Sequence, residues 1–480
     1  MAQFENHIFK ANDIRGTYPD QVNDEFAYLL GSGLATALSA KRVAIGRDCR
    51  LSSPALYAAL AAGLKAAGAE PGCLDLCPTE LLYFLMGSRR DFDLGVMVTA
   101  SHNPPHFNGF KIVGPGAEPV TERSGLKKAR QWIADAAISI PHAPPPPPKS
   151  LFIEKEYARY AASVAGSTAG LIPLKVVVDP ANGAGGLIWR EISTLTGVEP
   201  VKMNFEPDGR FPAHEADPSR AENLRPLQEA VLANDADIGF AYDGDADRTV
   251  VVLKGGHIMD GNETTAAIVE HLFAGKPSAS FAVNMTASRG ILDLFRAKGI
   301  EPLIVPVGHA KIKRIMRSRE DVEFAGETSG HYYYRKFFCC ESSLITTLHL
   351  LHLATTGSLQ ALRQSMRRPW FASSRRLTVP SAGRAVLLRA CRAVAAEALT
   401  MFPNPREILC EIDWQVRRDC EPTDIGAADA IRMDYEDWWF CTRPSDTEAN
   451  GQIAIEALTS EDLRRKQEAL LGLFSRHLGG

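Results

Sequence analysis

Leu94-Gly95-Val96-Met97-Val98 runs straight into Thr99-Ala100-Ser101-His102-Asn103-Pro104. A short, continuous apolar stretch that stops at a polar loop reads as a buried parallel strand. In an open α/β sheet, ligands bind outside the carboxyl ends of the strands, which puts Ser101 where chemistry is done. Taken alone, the loop reads as well as a cap on the next element. Three more segments bear on the choice.

Asp243-Gly244-Asp245-Ala246-Asp247-Arg248 lies between two further apolar runs, Ile238 to Tyr242 and Thr249 to Leu253. Carboxylates this close repel, so they shift their pKa or splay apart unless a cation binds among them. Oxygen-only ligands suit a hard divalent ion such as Mg²⁺. An EF-hand counted from Asp243 needs glycine sixth and glutamate twelfth, where Arg248 and Lys254 stand, so that reading fails. An Asp-x-Asp phosphatase pair would make an aspartate the phosphoryl carrier, and the separate serine loop disfavours it. A solvated acidic turn is the plain alternative. Arg248 is suited to clamp a phosphoryl oxygen.

In Gly326-Glu327-Thr328-Ser329-Gly330-His331, glycines permit close backbone approach to a ligand. Glu327, Ser329 and His331 supply acceptors and donors suited to sugar hydroxyls. Thr442-Arg443-Pro444-Ser445-Asp446-Thr447-Glu448 follows the strand-like Trp438-Trp439-Phe440-Cys441. One arginine with hydroxyls and free backbone N–H groups makes a phosphate cradle of Arg443, Ser445 and Thr447. Each string by itself also reads as a simple turn.

The four loops in this order resemble the α-D-phosphohexomutase family, of the phosphomannomutase/phosphoglucomutase type, from Phe9 to beyond Thr447. Asp13-Ile14-Arg15-Gly16, Gly46-Arg47-Asp48 with Arg50, Ser52 and Ser53, Asn108-Gly109-Phe110-Lys111, and Pro306-Val307-Gly308-His309 also fit it. The resemblance implies three related α/β domains plus a smaller α+β C-terminal domain around a central cleft. It implies a phosphoserine at Ser101, Mg²⁺ held by Asp243, Asp245 and Asp247 with Ser101 completing the site, and sugar binding by Glu327 and Ser329 with His331 in the same loop. Arg443, Ser445 and Thr447 would hold the non-transferring phosphate, with Arg15, His102, Lys111, Arg248 and His309 lining the active site. The implied reaction interconverts hexose 1-phosphate and hexose 6-phosphate through a hexose 1,6-bisphosphate, which also serves as activator. Lys111 is a candidate general acid/base if its pKa is lowered.

Departures stand beside these matches. Asn12 occupies a position where many relatives have tyrosine, and Asn284 one where many have lysine. Asp446 and Ala449 replace usual residues of the phosphate loop, and Cys339-Cys340-Glu341-Ser342 stands near where paired aspartates are common. The Gly-Glu-x-Ser-Gly-His loop and the Thr99-Ala100-Ser101 start favour mannose and glucose phosphates over the glucosamine branch. A phosphoglucosamine mutase, a hydrolase, and a sugar-phosphate-binding protein with reduced turnover are the alternatives.

At 480 residues the chain exceeds one ordinary core, and a net charge of −4 argues against a broad nucleic-acid footprint. The partners expected are small hexose phosphates, with no nucleic acid and no membrane. No secretory leader is visible and no apolar run approaches the roughly 20 residues that span a bilayer. The nine cysteines are scattered without zinc spacing, which predicts a reduced, cytoplasmic protein.

Organisation follows from composition. Pro144 to Pro148 form an unbroken run that reads as a stiff connector. Domains are expected over 1–150, 151–255, 256–368 and 369–480, carrying the serine, metal, sugar and phosphate loops in turn. Ser52-Ser53-Pro54 predicts a serine-capped helix with Leu56, Leu60 and Leu64 on its apolar face. Leu174 to Asp179 reads as a strand turning through Asn182 to Gly186 into a helix, without a dinucleotide fingerprint. A third strand–helix stretch begins near His257, with strands at Phe281-Ala282-Val283 and Leu303-Ile304-Val305.

Overall fold

Leu94–Val98 is the middle strand of five in the computed structural model of the chain. It pairs in parallel with Arg42–Arg47, which in turn pairs with Glu70–Leu76. On its other side it pairs antiparallel with Phe107–Val113, whose far edge carries Ile14–Thr17. The structure describes residues 8–10, 12–136, 150–166, 171, 174–274, 280–365, 371–378, 383–445 and 450–478. The run Pro144 to Pro148 lies outside them.

The chain divides into two units, Met1–Ala274 with Ser329–Ala361, and Gly275–Thr328 with Leu362–Gly480. In the first unit the helices Asp24–Ala37 and Ser53–Ala66 pack against each other on the first sheet. Leu56, Leu60 and Leu64 are fully buried, as their spacing predicts. The expected serine cap is absent, however. Ser52 Oγ accepts from Asn108 Nδ2 (2.8 Å) and Ser53 Oγ donates to Asp48 Oδ1 (2.5 Å). Tertiary partners have taken the hydroxyls that would cap the helix.

The second sheet of this unit runs His257–Met259, Thr249–Leu253, Ile238–Tyr242, Val176–Asp179, Val201–Lys202. Val176–Asp179 and Ile238–Tyr242 are parallel, and the next two strands fold back antiparallel. His257–Met259, expected to open a third stretch, is instead the edge strand of this sheet. The turn after Val176–Asp179 leads into the helix Gly185–Thr196.

In the second unit, Ser280–Asn284 pairs in parallel with Leu303–Val305 and Val322–Gly326, beside the helices Arg289–Arg296 and His309–Ser318. Its C-terminal sheet is antiparallel in the order Phe371–Thr378, Asn450–Ala457, Trp438–Pro444, Ala430–Asp434, Glu407–Ile412, Gln415–Arg417. Helices Arg384–Met401 and Ser460–Leu478 close a core that includes Trp438, Phe440, Ile455 and Phe474. Two buried groups tie this sheet to the 285–289 segment. Arg432 donates to Met285 O (2.9 Å), Ala287 O (2.7 Å) and both oxygens of Asp434, with its guanidinium 3.9 Å over Trp439. Glu456 accepts from Ser288 Oγ, Arg289 N and Trp439 Nε1. The architecture is α/β layers plus a C-terminal α+β portion, as expected. Among the described residues no helix is long and apolar enough to cross a membrane, and no disulfide links any of the nine cysteines.

Candidate functional site

Ser101 leaves the end of its strand in a left-handed conformation, φ 51°, and is 1% exposed. A non-glycine residue there costs local energy and needs its surroundings to impose it. Arg50 does so. Fully buried, it donates to four carbonyls of the loop: Ser101 (2.8 Å), Asn103 (2.6 Å), Pro104 (2.6 Å) and Phe107 (3.1 Å). Its Nε reaches Asp48 Oδ2 at 3.1 Å. Thr99 Oγ1 accepts from Ser101 N, and Arg15 Nη1 donates to Asn103 Oδ1 (2.8 Å) while its Nε holds Asp13.

The aspartate loop spans the hairpin between Ile238–Tyr242 and Thr249–Leu253, where Tyr242 pairs with Thr249. It meets the serine loop at backbone distance. A Cβ on Gly244 would stand 2.6 Å from Ser101 O, and one on Gly209 2.3 Å from Cys49 O. Glycine at both points lets loops from two sheets close on each other. Ser101 Oγ then donates to Asp243 Oδ2 at 2.7 Å, and Asp243 Oδ1 accepts from the amides of Asp247 and Arg248. Asp245 is held twice by Thr79, through Oγ1 to Oδ2 (2.6 Å) and through Thr79 N to Asp245 O (3.0 Å). Lys111 Nζ bonds Asp245 Oδ2 (2.6 Å) and Asp247 Oδ2 (2.5 Å).

Oxygens of Asp243, Asp245 and Asp247 lie within 4.8 Å of one another, all buried. Burial raises the Asp243 carboxyl well above its usual range, and Asp247 and Asp245 push it further. Asp245 Oδ1 is buried without a hydrogen-bond partner. A buried oxygen with no donor, beside an Asp243 carboxyl that burial and its acidic neighbours keep from ionising, is what a divalent cation relieves, and hard oxygens fit Mg²⁺. The donor set therefore fits that ion. Burial also raises Asp247, but Lys111 and then His331 outweigh it and hold the group well below the usual range. Lys111 departs from expectation. Burial lowers its pKa, yet Asp245 and Asp247 more than reverse this and raise it, so in this arrangement Lys111 is a fixed cation and a poor base.

His102 Nδ1 lies 3.4 Å from Asp217 Oδ2, and Arg248 Nη1 3.9 Å from Asp217 Oδ1. Burial, then Arg248, pulls His102 down to about 3 against the opposing Asp217. The ring is thus neutral, with Asp217 as its partner. Arg248 Nε donates to His331 Nε2 (3.4 Å), His331 Nδ1 contacts Ser329 Oγ (2.9 Å), and His331 Nε2 is 3.2 Å from Asp247 Oδ1. The first unit so gathers Arg15, Ser101, His102, Lys111, Asp243, Asp245, Asp247, Arg248, Ser329 and His331.

Glu327 and His309 belong to the second unit. Glu327 Oε1 accepts from Gly308 N at 3.2 Å, beside the first turn of His309–Ser318. Asn284 closes the same strand end, accepting from Thr286 Oγ1 (3.1 Å). At the end of Trp438–Pro444, Arg443 Nη2 donates to Gln452 Oε1 (2.6 Å) and Nη1 to Pro444 O (3.2 Å), while Arg384 Nη1 donates to Ser445 O (3.3 Å). Thr447, Asp446 and Ala449 lie outside the described residues. Asn12 is buried with its Oδ1 unpartnered, and Glu341 is buried in the first unit.

Thr79, Asp217 and the clamp role of Arg50 escaped the sequence reading. Thr79 had a usable signal, because it follows the parallel strand Glu70–Leu76 as Ser101 follows Leu94–Val98. Asp217 sits in an irregular loop without periodicity.

Known proteins resemble the chain over most of its length. Family models for phosphoglucomutase/phosphomannomutase alpha/beta/alpha domains I, II and III match residues 6–133, 155–256 and 260–369. The chain is 32% identical over 449 residues to the phosphohexose mutases of Xanthomonas campestris, covering 93% of this chain and 94% of that one. It is 30% identical over 464 residues to the phosphomannomutase/phosphoglucomutase of Pseudomonas aeruginosa, covering 95% and 93%. A phosphoglucomutase/phosphomannomutase family protein of Burkholderia thailandensis superposes with a TM-score of 0.83 at 28% identity, over 100% of this chain and 99% of that one.

Proposed function

Because this chain belongs to the phosphoglucomutase/phosphomannomutase family, we propose that it interconverts hexose 1-phosphates and hexose 6-phosphates through a phosphoserine at Ser101. The observation that carries this reading is a buried serine hydroxyl 2.7 Å from the first of three clustered carboxylates. Phosphoryl transfer asks for positioning and charge neutralisation more than covalent work. Asp243, Asp245 and Asp247 would hold Mg²⁺, which when bound would supply charge that polarises the phosphoryl group.

The chain's own residues do the rest. The Ser101 Oγ–P bond breaks as a sugar hydroxyl oxygen takes the phosphoryl group, and in net the hydroxyl's proton passes to the Ser101 oxygen, giving a hexose 1,6-bisphosphate and free serine. That bisphosphate reorients and returns its other phosphate to Ser101, which restores the phosphoenzyme and explains its use as activator. Lys111 stays charged between Asp245 and Asp247 and balances them. Arg15, which bonds the serine loop at Asn103, and Arg248, at the end of the aspartate loop, meet phosphoryl oxygens in this reading. Burial of Ser101 limits access of water, which favours transfer to sugar over hydrolysis.

Glu327 and Ser329 bind sugar hydroxyls, and Arg443, Ser445 and Thr447 bind the phosphate that is not transferred. Mannose and glucose phosphates are the proposed substrates, in a reduced, cytoplasmic setting that suits cysteines without disulfides. The deciding experiment follows ³¹P NMR of mannose 1-phosphate and glucose 1-phosphate in competition, with Mg²⁺ and a trace of glucose 1,6-bisphosphate. Formation of 6-phosphates without free phosphate is expected. Release of inorganic phosphate would identify a hydrolase, and no change in either sugar would point to a binding protein or to glucosamine phosphate.

Arg443→Ala is expected to raise KM for hexose phosphate roughly ten- to hundredfold, the loss of one or two charge-assisted hydrogen bonds. Metal activation should be unaltered. An unchanged KM would remove the cradle.

A further inference from the structure

We infer that Thr79 is a positioning residue that selects which oxygen of Asp245 faces the metal ion. The inference rests on Asp245 being a metal ligand. Thr79 and Asp245 are 166 residues apart, and both are fully buried. The Thr79 hydroxyl donates to Asp245 Oδ2 at 2.6 Å, and Lys111 Nζ reaches the same oxygen at 2.6 Å. Oδ1 of the same carboxylate receives nothing. A carboxylate whose two oxygens differ this sharply has its orientation set from outside. One oxygen is saturated by protein donors, and the other keeps its lone pairs for a cation.

Two facts separate this role from simple packing. Thr79 begins the helix Thr79–Ser88, but its hydroxyl serves no cap, since Pro78 is the N-cap residue and no side-chain cap bond is made. The hydroxyl is therefore spent wholly on the aspartate loop. The amide of Thr79 also holds Asp245 O at 3.0 Å, so the residue grips backbone and side chain together. Rotation of the carboxylate about its Cβ–Cγ bond is thereby blocked at one end. Lys111 cannot do this alone, because its flexible ammonium is shared with Asp247. Hydrogen-bond partners that orient a ligand typically control metal affinity by about 10- to 100-fold.

The test is Mn²⁺ binding to the full-length protein, read by electron paramagnetic resonance of the free ion, with Mg²⁺ as competitor. Mn²⁺ takes the same hard oxygen ligands. Thr79→Val, which keeps the shape and loses the hydroxyl, should bind about 10- to 100-fold more weakly. Its activation constant for Mg²⁺ should rise in parallel, while kcat at saturating Mg²⁺ stays within about threefold of the parent, as expected when only orientation of the ligand is lost. Thr79→Ser should restore parental affinity. Parental affinity in Thr79→Val overturns the inference, as does a Thr79→Ser variant as weak as the valine one. If Thr79→Val does not fold, Thr79→Ala takes its place and the serine comparison still decides. Absence of Mn²⁺ binding by the parent, or parental binding by Asp245→Asn, overturns the metal-site reading itself and is recognised without any Thr79 variant.

Discussion

Ser101→Ala is expected to abolish hexose phosphate turnover while leaving the protein folded. A fall in kcat on the order of 10⁴-fold or more is the scale on which an enzyme responds to losing its covalent nucleophile. The fold survives because the serine side chain makes one contact of note, to Asp243 Oδ2, whereas Arg50 and Thr99 shape the loop through its backbone. The left-handed conformation costs alanine about what it already costs serine. Steady-state kinetics and phosphoryl transfer from labelled glucose 1,6-bisphosphate check the result. Neither should register above background, and the melting temperature should move by no more than a few degrees. Near-parental kcat would remove Ser101 as the phosphoryl carrier.

The second large effect falls on stability. Arg50→Met removes a fully buried guanidinium that satisfies four loop carbonyls and pairs with the equally buried Asp48. Deleting one partner of such a pair costs about 3–5 kcal/mol, chiefly because the remaining charge is stranded without water. Among the described residues, Asp48 retains only the Ser53 hydroxyl and the backbone amide of residue 50. The unfolding free energy read from urea titration should fall by that amount, and the surviving folded protein should not accept a phosphoryl group at Ser101. Arg50→Lys should be intermediate, since an ammonium cannot span four carbonyls in a planar fork. A methionine variant with parental stability would show that the serine loop holds its own shape.

The parts of the site legible in the sequence were those whose chemistry is local. An apolar strand ending in Ser101, and alternating acids between two strands, are visible within a dozen residues, and four such loops in order point to their chemistry. The same holds for the helix carrying Leu56, Leu60 and Leu64, whose spacing alone predicts the buried face. What could not be read depended on long-range partners. Ser52 looked like a cap until Asn108, 56 residues away, supplied a different use for its hydroxyl. Lys111 looked able to trade a proton until Asp245 and Asp247 closed on it. Thr79 follows a parallel strand but its partner Asp245 is 166 residues away, and Asp217 carries no local pattern at all. The start of the third stretch near His257 holds to within a few residues, and His257–Met259 itself pairs with the preceding sheet, since a three-residue edge strand draws its assignment from its neighbour.

Arg432 and Glu456 set a limit on how this chain can be cut. The carbonyls of Met285 and Ala287 have their buried donor in the C-terminal sheet, and so do Ser288 and the amide of Arg289 their acceptor. A fragment ending at the sheet boundary near residue 368 would strip all four groups of their partners in the C-terminal sheet. The parallel sheet of Ser280–Asn284, Leu303–Val305 and Val322–Gly326 is therefore not an exchangeable module, however separable it looks as a stretch of sequence. Grafting it into a relative, or expressing it alone, means carrying Arg432, Asp434, Trp439 and Glu456 with it.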